Sequence, residues 1–294
     1  MNIINDLKLQ YRMGGLAQKL IFWNVGLFAV PFLVNMIFKF IFKIDFDFFY
    51  WISVSSNPTD LLFKPWSLVS YAFFHAGFFH ILFNMLILNF SSRLFLTYFY
   101  QKQFLSLYVL AAIFAAIVYI ICYYVFPSLR PFQTTMVGAS AAVMGVLIAT
   151  TTYAPLMEIK LMFIGNVKMW HLAFAYLIID LIQLPLENTG GHISHLAGAF
   201  FGFTYIKQLQ KGRDIGAWFT NFLDGLSNLS FTKTKAPFKK VYKNDTKPQK
   251  NSAPKIILKS KAQQQIDDIL DKISKSGYDS LSENEKEFLF KSGK

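Results

Sequence analysis

The sequence predicts an all-α, polytopic membrane protein: a bundle of six transmembrane helices followed by a cytoplasmic C-terminal tail. Three observations predict it. The 294 residues are 54% hydrophobic and 18% aromatic, with a mean hydropathy of +0.36, more apolar than a soluble domain of this size. Residues 20–38, 65–92, 103–129, 131–157 and 188–206 carry no charge, and residues 169–186 carry only Asp180. Each stretch can cross a hydrocarbon core of ~30 Å, which needs about 20 residues at helical rise. Finally, positive charge changes sides from one connection to the next, as a multi-pass topology requires.

Taken in order, residues 1–19 form an N-terminal segment with Lys8, Arg12 and Lys19. The first apolar stretch is too long for a secretory signal and lacks a small-residue cleavage site, so it is expected to be a retained span. Arg93 and Lys102 are placed in the second connection, Lys160 and Lys168 in the fourth, and the tail is basic. The opposite side shows Lys43, Lys64 and Arg130 beside Asp45, Asp47, Asp60 and Glu187. Both termini are therefore expected in the cytoplasm and the protein in the cell (inner) membrane. The net charge of +12 then reads as a topology signal with attraction to anionic lipid. No aromatic-interleaved basic motif points to nucleic acid. Cys122 is the single cysteine, which excludes an intramolecular disulfide framework and a cysteine zinc site.

Residues 20–210 make up the expected membrane domain. Within the stretch expected as a basic linker, 211–262, residues 213–230 mix aromatic and polar side chains as an interfacial segment does, and 232–262 are rich in Lys, Pro and Ser. In residues 263–294, Ile266, Ile269, Leu270 and Ile273 recur at helical spacing, Gly277 is a stop, and Ser282 with Glu285 has capping-box spacing before Phe288 and Leu289. A small helical hairpin is predicted there, with no role or partner legible.

Polar side chains are costly in a bilayer, about 2.5–3.5 kcal/mol for an ionisable group at mid-span on insertion scales, and are functional candidates by default. His75, His80 and Asn84 fall in the first half of the second stretch, Ser140 early in the fourth, and His192 and His195 at the start of the sixth. In the predicted topology all three stretches begin on the outer side, so these groups share a depth. Gly138, Ala139, Ala141 and Ala142 flank Ser140, and small residues let another helix approach. His195, Gly198 and Gly202 stand at i, i+3 and i+7, hence on one face, whereas His192 is rotated about 120° from Gly198 at about 100° per residue. The spacing predicts that His195 meets Ser140. A hydroxyl beside a neutral imidazole is the minimum for nucleophilic catalysis. His80 and Asn84, at i and i+4, can both donate to an oxyanion, as can the Ser140 N–H.

Each feature alone has a plainer reading. A serine in a membrane helix commonly bonds a carbonyl one turn back, Gly-x-x-x-Gly is commonly packing, and a His/Asn pair can simply satisfy itself between helices. The histidine pairs lack zinc spacing, so no metal and no cofactor is expected. Asp180 reads more readily as a helix-packing group than as a proton relay. No carboxylate stands at an evident third-member position, so a dyad is expected. Trp66 and Trp170 read as interfacial anchors.

Taken together these residues resemble the rhomboid family of intramembrane serine proteases. Residues 65–85, PWSLVSYAFFHAGFFHILFNM, resemble the family's second-helix region with His-x-x-x-Asn at His80 and Asn84. Gly138-Ala-Ser140 resembles its Gly-x-Ser motif, and residues 191–198, GHISHLAG, its histidine-bearing sixth helix. The resemblance covers roughly residues 15–212 and not the tail. It implies a six-helix bundle around a water-filled cavity open to the outer side. Ser140 would be the nucleophile, His195 the base, and His80, Asn84 and the Ser140 N–H the oxyanion pocket. Its substrates would be transmembrane segments of other proteins, cut near small residues and entering beside helices two and five. Ala141 replaces the second glycine of the family's Gly-x-Ser-Gly, Met144 stands where an aromatic ring often packs on the base, and Ser67 replaces an arginine that often follows the first-loop tryptophan. The competing readings are an inactive rhomboid-like binder of membrane clients and a small transporter using His75, Asp180 and His192 as relay groups.

Overall fold

The computed structural model describes residues 2–161, 164–229 and 261–292. They fall into two units, Met1–Thr232 and Lys233–Lys294. The first unit opens with α1 (Ile3–Met13), whose first turn is capped by the Asn2 side chain accepting from the Ile4 N–H at 3.1 Å. Gly14 interrupts it, and α2 (Leu16–Phe28) and α3 (Val30–Ile37) then run on through a π-helical turn, Phe38–Phe42. Pro31, which has no N–H to donate, sits at the start of α3, where none is needed. Lys43 ends the run in a left-handed conformation. Leu16–Phe42 is long and apolar enough to cross a membrane.

The connection from there to the next long helix is built of short pieces: α4 (Phe48–Ile52), β1 (Val54–Ser55), α5 (Asp60–Phe63), α6 (Ser67–Ser70) and a 3₁₀ turn, Tyr71–Phe73. Then come α7 (Phe78–Tyr98), α8 (Gln101–Val125), β2 (Thr135–Met136), α9 (Ser140–Tyr153), β3 (Glu158–Leu161), β4 (Gly165–Lys168), α10 (Met169–Gln183), α11 (Thr189–Gln210) and α12 (Ala217–Leu229). β1 pairs antiparallel with β2, and β3 with β4. Two of the expected spans are corrected here. Residues 65–92 are not one helix: the chain breaks at 74–77, leaving His75 outside α7, and α7 continues past residue 92 so that Arg93 is helical. Absence of charge marks an apolar run, not a helix, and an exposed arginine near a helix end can carry its head to water. Likewise residues 131–157 yield a helix only from Ser140, which is its first residue rather than an internal one.

Among the described residues, α7 and α8 join Leu16–Phe42 as helices long and apolar enough to cross by themselves. α9 has 14 residues and α10 has 15, about 21–23 Å at helical rise, short of a ~30 Å core. Residues 141–151 of α9 are all buried, so this helix is clad in protein on every side and need not reach the lipid headgroups itself. Its partners are α7, α8, α10 and α11. The tightest packing is with α11: a Cβ on Gly198 would collide with the Ala141 carbonyl, and one on Gly202 with the Gly145 carbonyl. Backbones this close exist only where side chains are missing.

The connection before α7 is pinned by side chains. Trp66 Nε1 donates to the Trp51 carbonyl at 2.8 Å and Ser70 Oγ to that of Ile52 at 2.8 Å. Lys64 is buried; its Nζ donates to the Tyr50 carbonyl at 2.8 Å and lies 3.6 Å from the Tyr50 ring centroid. Where Ser67 replaces the family's arginine, a cation three residues earlier fixes this connection.

α12 occupies the first part of the stretch expected as linker. It is tied to the bundle through Lys102 Nζ to Asp224 Oδ2 at 2.7 Å, while Trp218 and Phe222 are exposed. Most of that linker, 230–260, lies outside the described residues. In the second unit, α13 (Lys261–Ser276) stops at Gly277 (φ +78°), and α14 (Glu283–Ser292) begins with a reciprocal cap: the Ser282 N–H donates to Glu285 Oε2 at 2.7 Å and the Glu285 N–H to Ser282 Oγ at 3.4 Å.

Candidate active site

A cavity of about 490 Å³ lies among α7, α9, α10 and α11, bordered on one side by residues 135–138. Ser140, His195, His80, Asn84 and Gly138 all line it, so five of the residues singled out from the sequence come together. Gly198 and Gly202 are placed elsewhere, in the contact between α9 and α11.

Local structure explains each position. Gly138 has φ +134°, a conformation that L side chains rarely adopt, and a Cβ there would come within 2.6 Å of His80 Cε1. Its N–H donates to the Tyr71 carbonyl at 2.9 Å, and the next N–H, of Ala139, donates to His75 Nε2 at 3.3 Å. The break before α7 therefore holds the turn that delivers Ser140. As the first residue of α9, Ser140 has no carbonyl one turn earlier for its N–H to meet, and that helix end carries the positive pole of its dipole. Asn84 Nδ2 donates to the His80 carbonyl at 2.8 Å, which leaves the second amide hydrogen for the cavity.

α11 enters with Asn188 at its N-cap, in left-handed conformation, accepting from the Gly191 N–H at 3.3 Å. Gly190 packs on Tyr119 and Ser194 bonds the Gly190 carbonyl at 2.8 Å. His195 then reaches the cavity from one side of the helix and α10 from the other.

A carboxylate that the sequence spacing did not place there lies beside His195. Asp180 Oδ1 lies 2.9 Å from His195 Nδ1 and 2.6 Å from His192 Nδ1. Sequence spacing could not reveal it, because Asp180 and His195 are on different helices. The available signal was an acid alone in an apolar stretch. The sequence reading also did not find the aromatic neighbour of His195: the Tyr176 ring meets it edge-on, centroids 6.4 Å apart.

Ligand atoms of Asp180, His192 and His195 all lie within 4.8 Å of one another, close enough for one divalent ion. The 2.6 and 2.9 Å contacts to a single oxygen are hydrogen-bond lengths, and both nitrogens would have to lose their protons to bind metal.

Two family models match parts of the chain. The rhomboid domain matches residues 63–211, slightly more than half of the chain. The chain belongs to the rhomboid family. A family of unknown function (DUF6576) matches residues 257–291, a range that includes α13 and most of α14. No curated protein matches the sequence. The rhomboid match encloses every residue that lines the cavity, so the resemblance drawn from three motifs holds for the domain as a whole.

Proposed function

We propose that this rhomboid protein is an intramembrane serine endopeptidase that hydrolyses peptide bonds in or near transmembrane segments of other proteins. The observation that carries this reading is the cavity shared by Ser140, His195, His80 and Asn84, with His195 Nδ1 engaged elsewhere so that Nε2 is the nitrogen left for the serine. Ser140 Oγ attacks the substrate carbonyl carbon as its proton passes to His195 Nε2. The C=O bond opens to an oxyanion, which receives hydrogen bonds from His80, Asn84 and the Ser140 N–H at the positive end of α9. Collapse expels the amine, which takes the proton from His195. Water then repeats the sequence on the acyl-enzyme and restores Ser140.

In this reading α2–α3, α7, α8, α9, α10 and α11 are the six spans, both termini are cytoplasmic, and the cavity opens to the outer side of the inner membrane. Hydrolysis needs water, and polar groups are tolerated at membrane depth where they line a wet cavity. Labelling of the solubilised protein with a fluorophosphonate tests the chemistry. Labelling is expected to vanish in both Ser140→Ala and His195→Ala; label that persists in the serine variant would overturn the assignment.

A further inference from the structure

Asp180 is 2% exposed in the last turn of α10, and its Oδ1 receives two imidazoles while its Oδ2 has no hydrogen-bond partner among the described residues. An acid so placed is expensive in a membrane, and mere packing between α10 and α11 would be served better by leucine. What the carboxylate does to the two rings follows from its chemistry. An ionised carboxylate accepts and does not donate, so each Nδ1 that bonds it carries the proton. His195 is then the Nδ1–H tautomer, with its lone pair on Nε2. The other tautomer has a proton on Nε2 and cannot accept one from Ser140. His192, one turn before His195, reaches the same oxygen, so rotating the carboxylate would break both bonds at once. Tyr176, one turn before Asp180, meets the edge of His195 and limits the ring's tilt.

We infer that Asp180 is a positioning residue for His195, held in place by His192, and that the site works as a serine–histidine–aspartate triad rather than as a dyad. The inference rests on reading Ser140 and His195 as the reacting pair. Asp180 keeps Nε2 free to accept, and it faces the positive charge that appears on the ring when the Ser140 proton arrives.

Nitrogen-15 NMR of the full-length, histidine-labelled protein in detergent reads the tautomer without needing turnover, with His195 assigned by the signal lost in His195→Ala. The expected result is a proton on Nδ1 and an unprotonated Nε2 in the wild type, with Nε2–H gaining in Asp180→Ala. An Nε2–H tautomer in the wild type overturns the inference even if every Asp180 variant fails to fold. In turnover of a transmembrane peptide, Asp180→Asn is expected to lower kcat by about 10²–10⁴-fold with KM within about twofold, because an amide can donate to Nδ1 and impose the wrong tautomer. A kcat within about threefold of wild type would sink it. A wild type that holds the Nδ1–H tautomer but takes no fluorophosphonate label would defeat the proposed protease activity while leaving the placement of His195 by Asp180 intact.

Discussion

Two of the contacts that α11 makes with its neighbours are built on opposite principles. Toward α9 the contact is made of what is missing: Gly198 and Gly202 have no side chain, and the backbone of Ala141 and Gly145 fills the space. Toward α10 it is made of strongly polar groups, His192 and His195 on one carboxylate. The first fixes distance and the second fixes orientation. In lipid, apolar side chains gain little by leaving a solvent as apolar as themselves, so close packing and internal polar bonds must hold helices together. His195 belongs to both contacts, one turn from Gly198 and bonded to Asp180, and that is how a single ring can be set in both depth and rotation.

The glycine contact predicts losses of both stability and activity. Gly198→Ala and Gly202→Ala put a methyl group into a carbonyl, and each should cost about 1–3 kcal/mol of stability, as overpacking does. Activity should fall about 10²-fold, the scale of an ångström's misplacement of reacting groups. Thermal unfolding in detergent and peptide turnover check this; an unimpaired Gly198→Ala would mean that α9 and α11 can part at no cost. On the polar contact, His192→Leu removes one charge-assisted bond and should cost about 1.5–3 kcal/mol, read by the same unfolding assay. Gly26→Ala is the control. A Cβ there meets nothing within 4 Å, so helix propensity alone should apply, a stabilisation of at most about 1 kcal/mol.

The exposed carboxylate of Glu285 in the second unit sharpens the same contrast. It too collects several donors: Lys272 Nζ at 2.9 Å, the Ser282 N–H at 2.7 Å and Ser282 Oγ at 2.9 Å. Lys272 first, then the Ser282 bonds, hold its pKa down at about 2. A carboxylate depressed in the folded state adds stability above its ordinary pKa and loses it as pH falls through the folded value. Protection of α14 amides in the full-length protein should therefore weaken between about pH 4.5 and pH 2 and stay level above. Glu285→Gln should abolish that pH dependence, and a variant that keeps it would assign the effect to another group.

Much of the site was legible before any coordinates. His80, Asn84, Gly138, Ser140 and His195 were singled out because reactive or donor side chains in apolar stretches need a reason, and the cavity gathers all five. The i, i+3, i+7 spacing of His195, Gly198 and Gly202 marked the face toward α9, since helical periodicity is a local property. Span limits were less legible. Hydropathy could not distinguish the 74–77 break from the helix after it, nor find the start of α9 inside a charge-free run, because loops facing a cavity inside a bundle are as apolar as helices.

The amino-acid order by itself determined an apolar, helical chain, the residues able to do chemistry, and the face on which small residues leave room for a neighbour. Which groups from separate helices touch was decided only by tertiary structure: Asp180 beside His195, Tyr176 beside the same ring, and Lys64 anchoring the connection that precedes α7. The physical reason is that periodicity sets the direction of a side chain relative to its own axis. The rotation and depth of one helix against another depend on the whole set of packed surfaces at once.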